Sequence, residues 1–269
     1  MTTIPGPTSL ERSVARVEDG ACIYIGNFGA QLFSVGHELI RQGRRDLHVV
    51  MGSGGILLDQ LIAERVVSEA TVAHCWNPVG PRTALAWRDA VESGSLILNE
   101  LSLGTLAAAL QAGAWRVPFC PTTDLAETGY VTENRSGGRL GVATSSFGSV
   151  AVVKALAPDI AFIHASAVDP LGNAWIEQGR SDIVHAATAA RSTTVVAERI
   201  IETGSYHRPA DVPGLVVDDI VISRGAVFPD GAAHAYPRDI DMYVSYATTA
   251  TPAERSAWRS AVTAEATTT

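Results

Sequence analysis

ACIYIGNFGAQLFSVGHELIRQG, residues 21–43, runs an apolar stretch into a glycine turn and then into a helical repeat. Ala21–Ile25 reads as a strand, and Val35–Gln42 carries apolar residues at helical spacing. Between them stands Gly26-Asn27-Phe28-Gly29. Strand, glycine turn and helix in that order are the first half of a parallel β-α-β unit. The order recurs down the chain. Leu47–Met51, Thr71–Cys75 and Leu96–Leu98 read as further strands, with helical runs at Ile56–Arg65 and Arg82–Glu92. The expected fold class is therefore α/β, an open, mainly parallel sheet flanked by helices. Right-handed crossovers align the strand C-termini along one edge, where a ligand site belongs.

Beyond this series, TTDLAETGYVTENRSGGRLG (122–141) is polar and glycine-bearing and reads as a long excursion of the kind found near sites. The pattern then resumes with strands at Ser149–Val153, Ile160–His164, Thr193–Ala197 and Ile220–Ser223, and with a helical piece at Ser181–Arg191. Residues 1–269 are read as a single domain with frayed ends at Met1–Pro7 and Glu265–Thr269. A hydrophobic fraction of 46% in 269 residues is enough for a sizeable core. With 20 basic against 28 acidic residues, a net charge of −8 and no Lys/Arg cluster, the composition argues against a nucleic-acid or anionic-membrane partner. The start MTTIPGPTSLERS lacks the pattern of a signal peptide. Asp59, Lys154 and Asp159 interrupt the most apolar segments before they reach membrane-spanning length. Cys22, Cys75 and Cys120, odd in number and set in apolar surroundings, read as buried thiols, so the expected location is the cytoplasm.

Several turns are candidates for chemistry. Backbone N–H groups of Gly26–Gly29 can aim at a carbonyl oxygen or a phosphate. A dinucleotide site needs G-x-G-x-x-G and an acid closing the next strand. Here there is one G-x-x-G, and Asp46 precedes its strand. A tight turn that needs glycine only for its geometry is an equally weighted reading. Gly52-Ser53-Gly54-Gly55 repeats the arrangement after the second strand, but Ile56 follows where a Walker motif needs Lys, which argues against ATP. Glu100 follows a strand and precedes a helix, a place for a nucleophile or general base. The plainer reading, a helix N-terminal acid with Ser102 or Asn99 as cap, carries more weight on pattern alone.

The seven histidines show no metal-ligand spacing, and no metal is expected. His74 and Cys75 are neighbours on a strand and face opposite ways. His37 reads as a packing or capping residue. His164 and Asp169 lead into a Pro-Leu-Gly-Asn turn that is at least as much structural as ligand-binding. There is no G-x-S-x-G elbow.

Taken together, the segments resemble the A (alpha) subunit of class I CoA-transferases, the glutaconate and 3-oxoacid CoA-transferase group, from about Val17 to about Arg238. DGACIYIGNFG stands where that family has an Asp-Gly opening, a strand and a Gly-Gly-Phe turn. HELIRQGRRDLHVVMGSGGILLDQLIA, ELSLGTLAAALQAGAWRVPFCPT, PDIAFIHASAVDPLGNAW and TTVVAERI follow in the family's order. The resemblance implies a CoA-transferase (NagB/RpiA-like) fold and an acyl-CoA thioester as substrate, with no permanently bound cofactor. It also implies a beta-subunit partner. Gly26, Asn27, Phe28 and Gly29 then form an oxyanion site, with Ser53, Gly54 and Gly55 beside it as a cleft floor. Asn27 departs from the family's second glycine, and AQLFSVG replaces the Gly-x-Pro that usually follows. The family's covalent glutamate lies in a Ser-Glu-Asn-Gly stretch of the B (beta) subunit, which is absent here. TENRSGG (132–138) lies elsewhere in the chain, and NELSLG lacks the Asn. The nucleophile is thus expected on the partner. The alternative keeps the fold and makes the protein a CoA-thioester hydrolase, ring-opening enzyme or decarboxylase that uses Glu100.

Overall fold

The computed structural model describes residues 6–27, 29, 31–77, 82–122, 128, 130, 133–180, 182–249 and 251–266. In chain order the first half contains α1 (Leu10–Val14), β1 (Cys22–Tyr24), α2 (Phe33–Arg41), β2 (Leu47–Ser53), α3 (Gly55–Ala63), β3 (Val67–His74), β4 (Trp76–Asn77), β5 (Arg82–Thr83), α4 (Leu85–Ser93), β6 (Ile97–Glu100) and α5 (Leu103–Ala114). Then come β7 (Phe119–Thr122), β8 (Leu140–Ser145), β9 (Gly148–Lys154), β10 (Ile160–Ala165), β11 (Ala167–Val168), β12 (Ala174–Trp175), α6 (Ile183–Ala189), β13 (Ser192–Ala197), β14 (Asp219–Ile222), α7 (Ile240–Tyr246) and α8 (Pro252–Ala266).

β1 lies in the middle of a seven-stranded sheet of order β14-β13-β10-β1-β2-β3-β6, with every neighbouring pair parallel. A parallel sheet is buried on both faces, and side-chain alternation sorts the strand residues between them. Ile23, Val49, Met51 and Val72 pack with Phe33 and Leu39 of α2, Leu57 and Leu61 of α3 and Trp258 of α8. Tyr24, Val50, Ile163 and Val195 pack with Leu106 and Leu110 of α5 and Ile183 of α6. From β1 the chain passes through α2 to β2 on one side, whereas from β10 it passes through α6 to β13 on the other. The connections diverge between β1 and β10, and that switch point opens a crevice at the strand C-termini.

The first-half strands and helices form within a few residues of their sequence boundaries, though β3 starts at Val67, four residues before Thr71. Ser149–Val153 does form a strand, but it lies outside the parallel sheet. It is part of β9, the middle of an antiparallel β7-β9-β8 sheet. β8, Leu-Gly-Val-Ala-Thr-Ser, carries too weak an apolar alternation to be read as its partner. The polar excursion starts where β7 ends and closes on the first residues of β8, although residues 123–127, 129, 131 and 132 lie outside those described. Nothing in the sequence pattern announces the helices α7 and α8. They bring Tyr243, Tyr246, Trp258 and Val262 into the core around Phe33. Among the described residues no helix is long and apolar enough to cross a membrane.

Candidate active site

The two glycine turns lie side by side at the C-terminal ends of β1 and β2, strands spaced about 4.8 Å apart. Gly26 and Gly29 have φ of +92° and +82°, a region open to glycine at little cost. Asn27 is buried, and its Nδ2 donates to Asp182 Oδ1 at 2.8 Å. Tyr24 donates its hydroxyl to the same oxygen at 3.0 Å. Burial, with Asp182 alongside, pushes the Tyr24 phenol well up, so it stays protonated and a donor. The Gly29 N–H donates to Asp230 Oδ2 at 3.2 Å, so this donor is engaged within the protein. Phe28 lies outside the described residues.

In the second turn, Ser53 Oγ and His74 Nε2 are 2.9 Å apart. Burial pushes His74 below its ordinary pKa, which leaves a neutral imidazole beside the hydroxyl at pH 7. Gly54 donates its N–H to His74 O at 2.9 Å. Gly55, at φ +53°, opens α3, which has no side-chain cap. Among the described residues none accepts from the N–H of Gly55 or Ile56, so open donors and the positive end of the helix dipole face this edge. Gln31 joins the two turns: its Nε2 donates to Ser53 O at 3.1 Å, and its side chain lies against Gly55. Gln31 Oε1 is buried with no partner among the described residues.

Glu100 ends β6, three strands from β1. Its carboxylate sits 2.8 Å from Arg135 Nε, and its N–H donates to Arg135 O at 2.9 Å, so it anchors the returning limb of the excursion. Of the two candidate caps, Ser102 takes the role: its Oγ accepts from Thr105 N at 3.0 Å at the start of α5. Asn99 instead donates to Glu69 at 2.7 Å and Thr71 at 3.2 Å. α5 then runs back over the sheet, where Leu103 and Asn27 both lie against Gly52. His37 is a packing residue, hydrogen-bonded to Gln60 Oε1 at 2.9 Å and edge-on to Phe33 and Trp258. Asp169 closes its own turn by accepting from the N–H groups of Leu171 and Asn173. A cavity of about 1070 Å³ lies between α3, α4 and α7, and none of the expected site residues lines it.

Two residues at the site carry no clear signal in the sequence. Asp182, just before α6, reads only as a helix-start acid, and Asp230 sits in Phe-Pro-Asp-Gly, an ordinary turn signal. Both carboxylates are buried and grip the first glycine turn. Asp230 is itself held by Arg238 Nη2 at 2.6 Å. Burial nevertheless outweighs Arg238 and raises the Asp230 carboxyl above its ordinary value.

The coenzyme A transferase family model matches residues 8–223. The chain is 28% identical over 246 residues to the A subunit of 3-oxoadipate CoA-transferase from Pseudomonas knackmussii, covering 88% of this chain and 86% of that protein. It is 27% identical over 245 residues to an uncharacterized protein of Archaeoglobus fulgidus, covering 88% of this chain but only 54% of that longer protein. Among solved structures, a variant of the decarboxylase AibA/AibB superposes with a TM-score of 0.87 at 27% identity, covering 98% of this chain and 100% of that one. Glutaconate CoA-transferase of Acidaminococcus fermentans superposes with 0.86 at 25% identity, covering 94% and 87%.

Proposed function

The chain belongs to the coenzyme A transferase family, and on that premise we propose that it is the alpha chain of a two-chain enzyme that transfers CoA between a thioester and a carboxylic acid. The observation that carries this reading is the pair of glycine turns at the switch point, the second opening α3 with the N–H groups of Gly55 and Ile56 unaccepted among the described residues. Donors fixed in place at a dry edge stabilise a carbonyl oxygen as it gains charge, by roughly 3–4 kcal/mol each. Gly26, Asn27 and Gly29 form one wall of that site, with Ser53, Gly54 and Gly55 the other. Asp182 and Asp230 fix the first wall in place.

The covalent carboxylate comes from the beta subunit. It attacks the thioester carbonyl, the C–S bond breaks, and CoA leaves as thiolate from an acyl-glutamyl anhydride. The thiolate then attacks the glutamyl carbonyl, releasing the first acid and leaving a glutamyl-CoA thioester. The incoming carboxylate reverses these steps with its own acyl group. The thioester is substrate, with no permanently held cofactor, and three free thiols support a reducing, cytoplasmic setting.

Co-expression with a second chain bearing Ser-Glu-Asn-Gly, followed by an assay for acceptor-dependent CoA exchange, tests the proposal. Exchange in the complex and none with the isolated chain is expected. Release of free CoA or CO₂ without any acceptor acid would instead establish the second reading, hydrolysis or decarboxylation through Glu100. That reading draws on the partly exposed Glu100 carboxylate at the sheet edge and on the likeness to the decarboxylase.

A further inference from the structure

At the end of β10, His164 is wholly buried, with Nε2 2.9 Å from Glu198 Oε1 just beyond β13. Neither residue stops at the other. The second ring nitrogen of His164 meets the Gln178 side-chain amide. Glu198 also accepts from the Tyr236 hydroxyl at 2.8 Å and from the Gly225 N–H at 2.9 Å. Burial alone would push the Glu198 carboxyl up. The hydrogen bonds from His164, Tyr236 and Gly225 outweigh it and hold the group below its ordinary range, so it is ionised at neutral pH. Joining two adjacent strand ends would need only the His–Glu bond. The two additional side-chain partners, Gln178 and Tyr236, lie on separate loops.

Each loop leads to the same place. Four residues beyond Gln178 stands Asp182, which takes the Tyr24 hydroxyl and the Asn27 amide. Six residues before Tyr236 stands Asp230, which takes the N–H groups of Gly29 and Gln31. The first glycine turn is thus gripped from two sides by carboxylates whose loops are fastened to one buried pair. We propose that His164 and Glu198 are positioning residues for the acyl-oxygen site, acting through Gln178 on the Asp182 side and through Tyr236 on the Asp230 side. The proposal rests on the reading of Gly26–Gly29 as an oxyanion site, and it adds four residues that touch no substrate.

The test uses the full chain in complex with its partner. Gln178→Leu cuts one arm and Tyr236→Phe the other, neither leaving a new buried charge. Thr194→Val, which removes a buried hydroxyl from β13 away from both arms, is the control. Readouts are melting temperature, hydrogen exchange at the Gly29 and Gln31 amides, and kcat and KM for an acyl-CoA. Each arm variant is expected to keep its melting temperature within about 3 °C. Exchange at the two amides should rise about tenfold or more, and kcat should fall about tenfold with KM nearly unchanged. The control should lower the melting temperature and leave both the amide exchange and kcat unchanged. Unchanged exchange at Gly29 and Gln31 in both arm variants overturns the proposal, whatever happens to kcat. Faster exchange with unchanged kcat keeps the fastening and sinks the oxyanion reading instead.

Discussion

Asn27 stands where the resembling family has glycine, and its side chain is a brace. One face lies on Gly52, where an added Cβ would come within 2.8 Å of Asn27 Nδ2 and 3.1 Å of Leu103. Gly52→Ala is therefore expected to destabilise the protein by about 1–3 kcal/mol through overpacking. Asn27→Ala in the same chain should recover part of that loss, read as a shift in the urea midpoint, because the two changes share one contact. Glu100 allows a sharper choice. If the partner supplies the nucleophile, Glu100→Gln weakens only the Arg135 anchor, and turnover of the complex should stay within about tenfold of wild type. A fall of hundredfold or more at unchanged melting temperature would make Glu100 the acting base. Residue identity was legible here, whereas role was not. That Glu100 holds Arg135, and that the Gly29 N–H is taken, depend on partners far along the chain.

Among elements, the helix starts at the active edge differ in a way that function can use. α5 is closed by its Ser102 cap, whereas α3 opens on glycine with donors unaccepted among the described residues. α3 also holds its surroundings together through a buried acid. Asp59 accepts from the N–H groups of Ala86 and Trp87 at the start of α4 and from the Tyr246 hydroxyl of α7, the latter at 2.6 Å. Asp59→Ala strands those donors, and guanidinium unfolding should show a loss of about 3 kcal/mol. Local periodicity revealed the main-sheet elements because their residues are buried on a regular face. It failed at β8, where one side of a small sheet is exposed and the alternation fades, and at α7 and α8, which bury only Tyr243 and Tyr246 and only Trp258 and Val262 respectively.

For the molecule as a whole, acid should act before the carboxylates titrate. Burial pushes His37 down to about 4 from its ordinary 6.5, against the opposing hydrogen bond that it donates to Gln60 Oε1, and burial pushes His48 down to about 4 as well. Between those values the unfolded chain binds protons that the folded chain refuses, so stability falls as pH drops from about 6.5 to 4. Melting temperature should decline across that window, and His37→Gln should flatten part of the decline. A flat profile in the wild type would contradict it. By itself the sequence determined the strand–turn–helix series, the parallel sheet and the edge on which the glycine turns stand. Those features follow from hydrophobic period and glycine placement over a few neighbouring residues. Only the tertiary structure decided which donors at that edge are spent and which remain. The carboxylates that grip the first turn come from 155 and 201 residues away, and no local pattern records which distant acid a backbone amide will meet.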